Sequence, residues 1–142
     1  MPQAGAFVKA LGEVVLRVAD LDAMQHFYAD TLGLPLLRRF PHSAFFKLAE
    51  GHGGHPQALA LFDRSIRPGY AGVGAERSTL DHLAFEIDQA DFDRVKQCLE
   101  ARGLAVRLDE HGWVQCRSLY IHDPEGNEVD FVCFDPSVPK EG

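Results

Sequence analysis

The sequence has little cysteine, one tryptophan and no paired metal-binding motif. Its three cysteines, Cys98, Cys116 and Cys133, are widely spaced along 142 residues. An odd number of cysteines without a CxxC pair argues against a disulfide framework and against a zinc ribbon. Such cysteine usage is typical of a reducing compartment, and we expect a cytoplasmic protein.

Basic residues and long apolar runs are also scarce. The chain has 14 Lys and Arg against 21 Asp and Glu, a formal net charge of −7, and no basic run that could neutralise phosphates, which argues against nucleic acid as a partner. No apolar stretch approaches the roughly 18 residues of a membrane helix. Residues 1–11 lack the basic and apolar regions of a signal peptide. Neither a nucleophile-elbow nor a nucleotide-binding glycine motif is present.

What the chain does have is the composition of a folded domain. Hydrophobic residues make up 46% and charged residues 25%, which excludes disorder for most of its length. A chain of this size buries roughly two thirds of its unfolded surface. We therefore expect one domain over residues 1–142 that needs no covalent staples.

An internal repeat organises this domain. Residues 13–20 and 82–89 both read as alternating apolar and polar positions that end near an aspartate, which predicts two strands with one buried face each. An amphipathic pattern follows each strand and predicts a helix. Three shorter strands follow each helix, at residues 35–40, 43–48 and 58–63, and at residues 105–108, 117–122 and 127–134.

The predicted fold is therefore α+β, with two tandem βαβββ modules that form a curved mixed sheet. The first module covers residues 11–63 and the second covers residues 80–135. Residues 64–79 carry glycines and prolines without a clear period, so we interpret them as the linker between the modules.

The repeat places Glu13 and His82 at the start of the two first strands, and Ala60 and Asp130 in the two last strands, on the face turned away from the helices. If a pseudo-twofold axis relates the modules, these four positions converge near it. Two carboxylates and an imidazole suit Fe²⁺, Mn²⁺, Co²⁺, Ni²⁺ or Zn²⁺. Ala60 would leave an open position for water or substrate, which a catalytic metal needs.

The chain resembles the vicinal oxygen chelate superfamily, which includes glyoxalase I, extradiol dioxygenases, fosfomycin-resistance enzymes and the metal-free bleomycin-resistance proteins. The resemblance lies in residues 14–28, 32–34, 80–85 and, most specifically, 117–131, where a strand, an Asp-Pro-Glu-Gly turn and a strand with an acidic residue follow one another. It implies paired modules, a homodimer and a small-molecule substrate.

The resemblance also implies a ligand set. The superfamily takes its metal ligands from the first and last strands of each module, which correspond here to Glu13, Ala60, His82 and Asp130. Glu13 stands where many members have histidine, Asp130 where most have glutamate, and Ala60 where glyoxalase I has a carboxylate. Glu13 or Asp130 would then have to act as the catalytic base as well.

Four further residues are predicted to contact a substrate. The resemblance places Ser118 and Tyr120 on the strand that faces the pocket, and Arg17 lies on the same face of the first strand as Glu13. Trp113, the single tryptophan, either stacks on an aromatic substrate or covers an edge of the core. His52 and His55 lie in a glycine-rich segment that we interpret as a flexible loop.

Two functions remain open from the sequence. The first is a metal-dependent enzyme, a lyase or a dioxygenase, that chelates adjacent substrate oxygens on a divalent metal. The alternative is a metal-free protein that sequesters a small molecule. The predicted ligands do not require a metal, because Glu13 or Asp130 could instead pair with Arg17, or one of them could stay protonated.

Overall fold

The structure, a computed structural model, describes residues 1–141. The chain divides into two compact units, residues 1–72 and the residues from 73 onward. None of the helices in the described part of the chain combines the length and the apolar character that a membrane crossing requires.

The first unit is a four-stranded mixed sheet with one helix. Its strand order is β1-β4-β3-β2, with β1 parallel to β4 and β3 antiparallel to both of its neighbours. The elements are β1 (Glu13–Val18), α1 (Leu21–His26), β2 (Leu36–Phe40), β3 (Ser43–Ala49) and β4 (Gln57–Asp63).

The second unit repeats this topology. Its strand order is β5-β8-β7-β6, again with the first strand parallel to the last. The elements are β5 (His82–Glu86), α2 (Phe92–Ala101), β6 (Arg107–His111), β7 (Cys116–His122) and β8 (Glu128–Phe134). Each unit is thus a βαβββ module, and the predicted α+β fold is confirmed.

Alternation along β1 sets the two faces of the first sheet. Leu16 and Val18 are buried, whereas Glu13, Val15 and Arg17 are exposed, as the period-two pattern predicts. α1 packs against β3 and β4 and begins where the Oδ1 atom of Asp20 accepts a hydrogen bond from the Ala23 N–H at 3.0 Å. This is an ordinary N-cap.

The first helix widens after His26 into a π-type turn over Phe27–Thr31, in which the Leu32 N–H donates to the Phe27 carbonyl at 2.9 Å. One local prediction differs from the structure. The sixth strand was expected at 105–108 and lies at Arg107–His111. This strand is charged and largely exposed, so it lacks the apolar alternation that would locate it.

Candidate metal and substrate site

His82 is surrounded by two carboxylates in the second unit. The parallel register of β5 and β8 places His82 directly opposite Glu128, and Asp81 precedes His82 in the chain. His82 Nδ1 lies 2.7 Å from Asp81 Oδ2. One ligand atom from each of the three residues lies within 4.8 Å of the others. A carboxylate on one ring nitrogen orients the imidazole and leaves the other nitrogen available to a metal.

Asp130 is a buried carboxylate that the protein satisfies only in part. Its side chain lies on β8 between Ala84 and Tyr120 and is 4% exposed. Ser118 Oγ donates to Asp130 Oδ2 at 3.1 Å, while Oδ1 has no hydrogen-bond partner among the described residues. Burial raises the pKa of Asp130, and the Ser118 hydrogen bond offsets this in part. A buried oxygen without a partner is costly, and a cation or a proton would relieve that cost.

A chain of hydrogen-bonding groups leads from Asp130 to the edge strand. His111 Nε2 lies 3.2 Å from Ser118 Oγ and 3.1 Å from Tyr120 Oη. Ser118 is fully buried and Tyr120 nearly so, whereas His111 on β6 is half-buried. Since each imidazole nitrogen can donate or accept a hydrogen bond, His111 can be donor or acceptor toward either hydroxyl.

Arg107 covers the same face from β6. Its guanidinium lies 4.0 Å from the centre of the Tyr120 ring, and Nη2 donates to Glu128 Oε1 at 2.8 Å. The hydrogen bond with Glu128 raises the pKa of Arg107, so this guanidinium is always charged. It fixes both the tyrosine ring and the carboxylate opposite His82.

The structure brings four of the sequence-predicted residues to one sheet face. They are His82, Ser118, Tyr120 and Asp130. Tyr120 is paired with Asp130, and Ser118 and His82 each lie two residues along their strands from a partner of Asp130. Glu13 and Arg17 lie on the exposed face of β1 in the first unit, so the ligand set that includes Glu13 stays a prediction.

Two other predicted positions have clear surroundings. Ala60 is fully buried between Val15 and Phe45, so this position offers no metal ligand. Trp113 is 75% exposed, and its interpretation as a cover for the core is therefore wrong. Its role in stacking on a substrate stays a prediction.

Sequence reasoning missed Asp81, His111, Arg107 and Glu128. The sequence did contain a signal for Glu128: it lies two residues before Asp130 on the same strand, so both side chains project from one face. His111 was missed because the sixth strand was predicted to end at residue 108, and Arg107, although inside the predicted strand, was not recognised because its register with Tyr120 was unknown. Once β6 is assigned correctly, both side chains alternate onto the face of Tyr120.

The donor set of the second unit fits a divalent transition metal. Imidazole nitrogen with carboxylate oxygen is chemistry that Fe²⁺, Mn²⁺ or Zn²⁺ accepts. The second unit also carries most of the negative charge: residues 1–72 have seven Lys and Arg against six Asp and Glu, while the rest of the chain has seven against fifteen. These charges, +1 and −8, favour a cation in the second unit.

Comparison with known proteins identifies the family of the chain. The sequence model of the Glyoxalase/Bleomycin resistance protein/Dioxygenase superfamily matches residues 10–131. The chain belongs to this superfamily. The match covers both modules, so the resemblance inferred from the sequence is confirmed.

Two curated relatives of this superfamily member come from different enzyme classes. Glutathione transferase FosA of Serratia marcescens is 25% identical over 127 residues, which cover 87% of this chain and 79% of the relative. Biphenyl-2,3-diol 1,2-dioxygenase 3 of Rhodococcus globerulus is 30% identical over 139 residues, which cover 92% of this chain and 66% of the dioxygenase. The chain thus spans just under two thirds of the dioxygenase.

Solved structures share the fold over nearly the whole chain. A lactoylglutathione lyase from Agrobacterium tumefaciens is 32% identical, with a TM-score of 0.65 and coverage of 87% of this chain and 92% of its own. A glyoxalase/dioxygenase from Nostoc punctiforme is 25% identical, with a TM-score of 0.69 and coverage of 95% and 97%.

Proposed function

We propose that this protein is a metal-dependent enzyme that acts on a small molecule with two adjacent oxygens. Glu13, His82 and Asp130 would hold the divalent metal, whose Lewis acidity would stabilise negative charge on the substrate oxygens. The observation that supports this most is the Oδ1 atom of Asp130, which is buried without a partner on the sheet face that also carries His82.

The chain's own residues would prepare the site and move protons. Asp81 accepts from His82 Nδ1 and so fixes the ring, and Ser118 holds Asp130 through Oδ2. His111 and the Tyr120 hydroxyl, 3.1 Å apart, would take a proton from the substrate or return one to it. General acid–base catalysis needs such a group within hydrogen-bond reach of the reacting atom.

The names of the relatives suggest which class of substrate to test first. One relative is named for a biphenyl diol and a structural neighbour for lactoylglutathione, and both names describe molecules with oxygens on adjacent carbons. Catechols and thiol adducts of methylglyoxal are therefore the first substrates to test, each with Fe²⁺, Mn²⁺, Ni²⁺ and Zn²⁺.

Metal analysis of the purified protein tests the metal. We expect about one divalent metal per chain, as in other three-ligand catalytic sites, and a loss of at least tenfold in metal affinity for His82→Ala. His26→Ala is the matched control, because His26 is an exposed histidine of the first unit that pairs with Asp30. A wild-type protein that takes up none of the four metals would contradict the proposal.

A second candidate is metal-free sequestration of a small molecule. The observation that favours it is the Arg107–Glu128 ion pair at 2.8 Å, which neutralises one carboxylate beside His82 without a metal. In that case a small molecule would bind equally well before and after treatment with a chelator, and His82→Ala would leave the affinity unchanged.

A further inference from the structure

The second unit has a cavity on the helix side of its sheet. It lies between α2, the end of β5 and the middle of β8, and its volume is about 530 Å³. Phe131 of β8 lines it, and since side chains alternate along a strand, Phe131 projects from the face opposite that of Asp130. This α2 cavity is therefore separate from the candidate metal and substrate site. Its apolar wall consists of Ile87, Val95, Leu99 and Phe131.

The internal repeat explains why the α2 cavity exists. Counted from the first residue of α1, the seventh and eighth positions are Phe27 and Tyr28, and both side chains are buried. Counted in the same way along α2, these positions are Cys98 and Leu99. The two rings of the first unit are thus replaced by much smaller side chains in the second. Because folded proteins are close-packed, this loss of volume leaves an open space beside α2.

The sheet beside α2 is accordingly less well covered than its counterpart. Leu16 and Val18, three and five residues after the start of β1, are 5% and 0% exposed. Phe85 and Ile87, at the same distances from the start of β5, are half-buried. Phe131, whose ring centre lies 5.7 Å from that of Phe85, is half-buried as well. An open apolar cavity of this volume suits a small molecule, since ligand cavities measure about 300–1,000 Å³.

The rim of the α2 cavity is acidic. Its charged lining residues are Glu86, Asp88, Asp91 and Arg94, so three carboxylates stand against one guanidinium. Arg94 Nη2 lies 3.5 Å from Asp91 Oδ1. By contrast, no basic nitrogen of residues 1–141 lies within 4.0 Å of the carboxylates of Glu86 and Asp88. Two unpaired carboxylates beside an apolar wall favour a ligand that is a cation with an apolar body.

We infer that the α2 cavity binds a small organic cation. The apolar body of the ligand fills the space beside α2, and its ammonium group pairs with the carboxylates of Glu86 and Asp88. The α2 cavity contains none of the residues of the proposed metal site, so a failure of this inference and a failure of the proposed function are distinguishable.

Tryptamine is the probe, titrated by calorimetry into protein that has been treated with a chelator. Its indole ring supplies the apolar body and its ammonium group supplies the charge. Indole-3-propionate keeps the ring but carries a carboxylate, and 3-ethylindole keeps the ring without any charge. We expect tryptamine to bind at least about tenfold more tightly than either, because only its charge complements the acidic rim.

Filling the α2 cavity locates the binding. Cys98→Phe introduces the ring that the first unit carries as Phe27, and it should weaken tryptamine binding by at least about tenfold. Gln97→Phe is the matched control, because Gln97 is exposed and does not line the cavity; its affinity for tryptamine should equal that of the wild type. Circular dichroism of both variants establishes that they are folded.

A substitution at the rim tests the charge without disturbing the core. Asp88 is exposed, and Asp88→Asn should weaken tryptamine binding by about fivefold while leaving that of 3-ethylindole unchanged. Asp93→Asn removes the same charge from an exposed position of α2 that does not line the cavity. The affinity of Asp93→Asn for tryptamine should equal that of the wild type.

The thiol of Cys98 gives a second readout that does not depend on a variant. Cys98 lines the cavity and is exposed, whereas Cys116 is half-buried and Cys133 is buried. Saturating tryptamine should slow the alkylation of Cys98 by iodoacetamide and leave that of Cys116 unchanged. Mass spectrometry of the alkylated peptides measures both rates.

Three results would overturn the inference: equal affinity for tryptamine and indole-3-propionate, tryptamine binding that Cys98→Phe does not weaken, and alkylation of Cys98 that tryptamine does not slow. Sedimentation tests for a different occupant. If the wild type bound no tryptamine and formed a dimer that dissociated in Cys98→Phe, the α2 cavity would belong to a contact with a second copy of the chain.

Discussion

Two buried aspartates on and just after β8 differ in how the protein satisfies them. Asp130 receives one hydroxyl hydrogen bond, and burial raises its pKa. Asp135 accepts from the Ser137 N–H at 2.9 Å, from Ser137 Oγ at 2.6 Å and from Gln89 Nε2 at 3.0 Å. The hydrogen bonds of Ser137 first, and the nearby Arg117 after them, lower the pKa of Asp135. Asp135 is therefore a structural carboxylate, whereas Asp130 has an oxygen left for a ligand.

The lowered pKa of Asp135 predicts a pH-dependent stability. Because folding favours its ionised form, that contribution is full above the ordinary pKa of 3.8 and is lost as the pH falls through the lower pKa of the folded state. We expect Asp135→Asn to lower the melting temperature at pH 7, and the difference from the wild type to narrow below about pH 4. Thermal unfolding followed by circular dichroism from pH 3 to pH 8 measures both.

The control for this pH profile is Glu110→Gln, which removes an exposed carboxylate from β6. Its melting temperature should follow that of the wild type across the pH range. If Asp135→Asn and Glu110→Gln gave the same profile, the hydrogen bonds to Asp135 would not stabilise its charge.

At the scale of elements, the side chain of Asp123 stabilises the turn that joins β7 to β8. Asp123 is buried; its Oδ1 accepts from the Glu125 and Asn127 N–H groups at 3.0 Å each, and its Oδ2 accepts from Asn127 Nδ2 at 2.8 Å. The two strands that this turn joins carry Ser118 and Asp130. The Asp-Pro-Glu-Gly motif therefore has a structural role.

Asp123→Ala should destabilise the protein by about 1–3 kcal/mol, because two backbone donors in the turn lose their acceptor. Asp123→Asn keeps one side-chain oxygen and should cost less. Urea unfolding gives the free energy of unfolding for both variants. Equal stability of the wild type and Asp123→Ala would show that water replaces these hydrogen bonds without cost.

The elements also show what the sequence could predict. Strands whose two faces differ in burial, such as β1 and β5, were located because that difference imposes a period of two on their residues. The repeat placed His82 and Asp130 correctly on the face opposite the helices. By contrast, the contacts of Arg107 with Tyr120 and Glu128 depend on the register of three strands, which no local pattern encodes. The sequence therefore predicted the sheet face of His82 and Asp130, whereas the contacts of the edge strand were missed.

At the scale of the whole molecule, charge is divided unevenly between the units, +1 for residues 1–72 and −8 for the remainder. Any carboxylate in the chain therefore helps to attract a cation, whether or not it is a ligand. Salt distinguishes long-range attraction by a carboxylate from direct coordination of the metal. It screens exposed charges beyond roughly 10 Å at 0.1 M but has little effect on a direct metal–ligand bond.

The salt dependence of metal affinity therefore tests whether Glu13 of the first unit is a metal ligand. We expect Glu13→Gln to weaken metal binding by at least about tenfold and to do so equally at 20 mM and 500 mM salt, because a ligand is lost. Glu110→Gln removes the same charge from a position outside the site, and its small effect should disappear at high salt. Competition titration with a chromophoric chelator measures each affinity. A different result would contradict this expectation: Glu13→Gln would behave like Glu110→Gln, while Glu128→Gln would abolish metal binding at both salt concentrations. The metal would then be held by the second unit, through Asp81, His82 and Glu128. The first unit would contribute only to substrate binding.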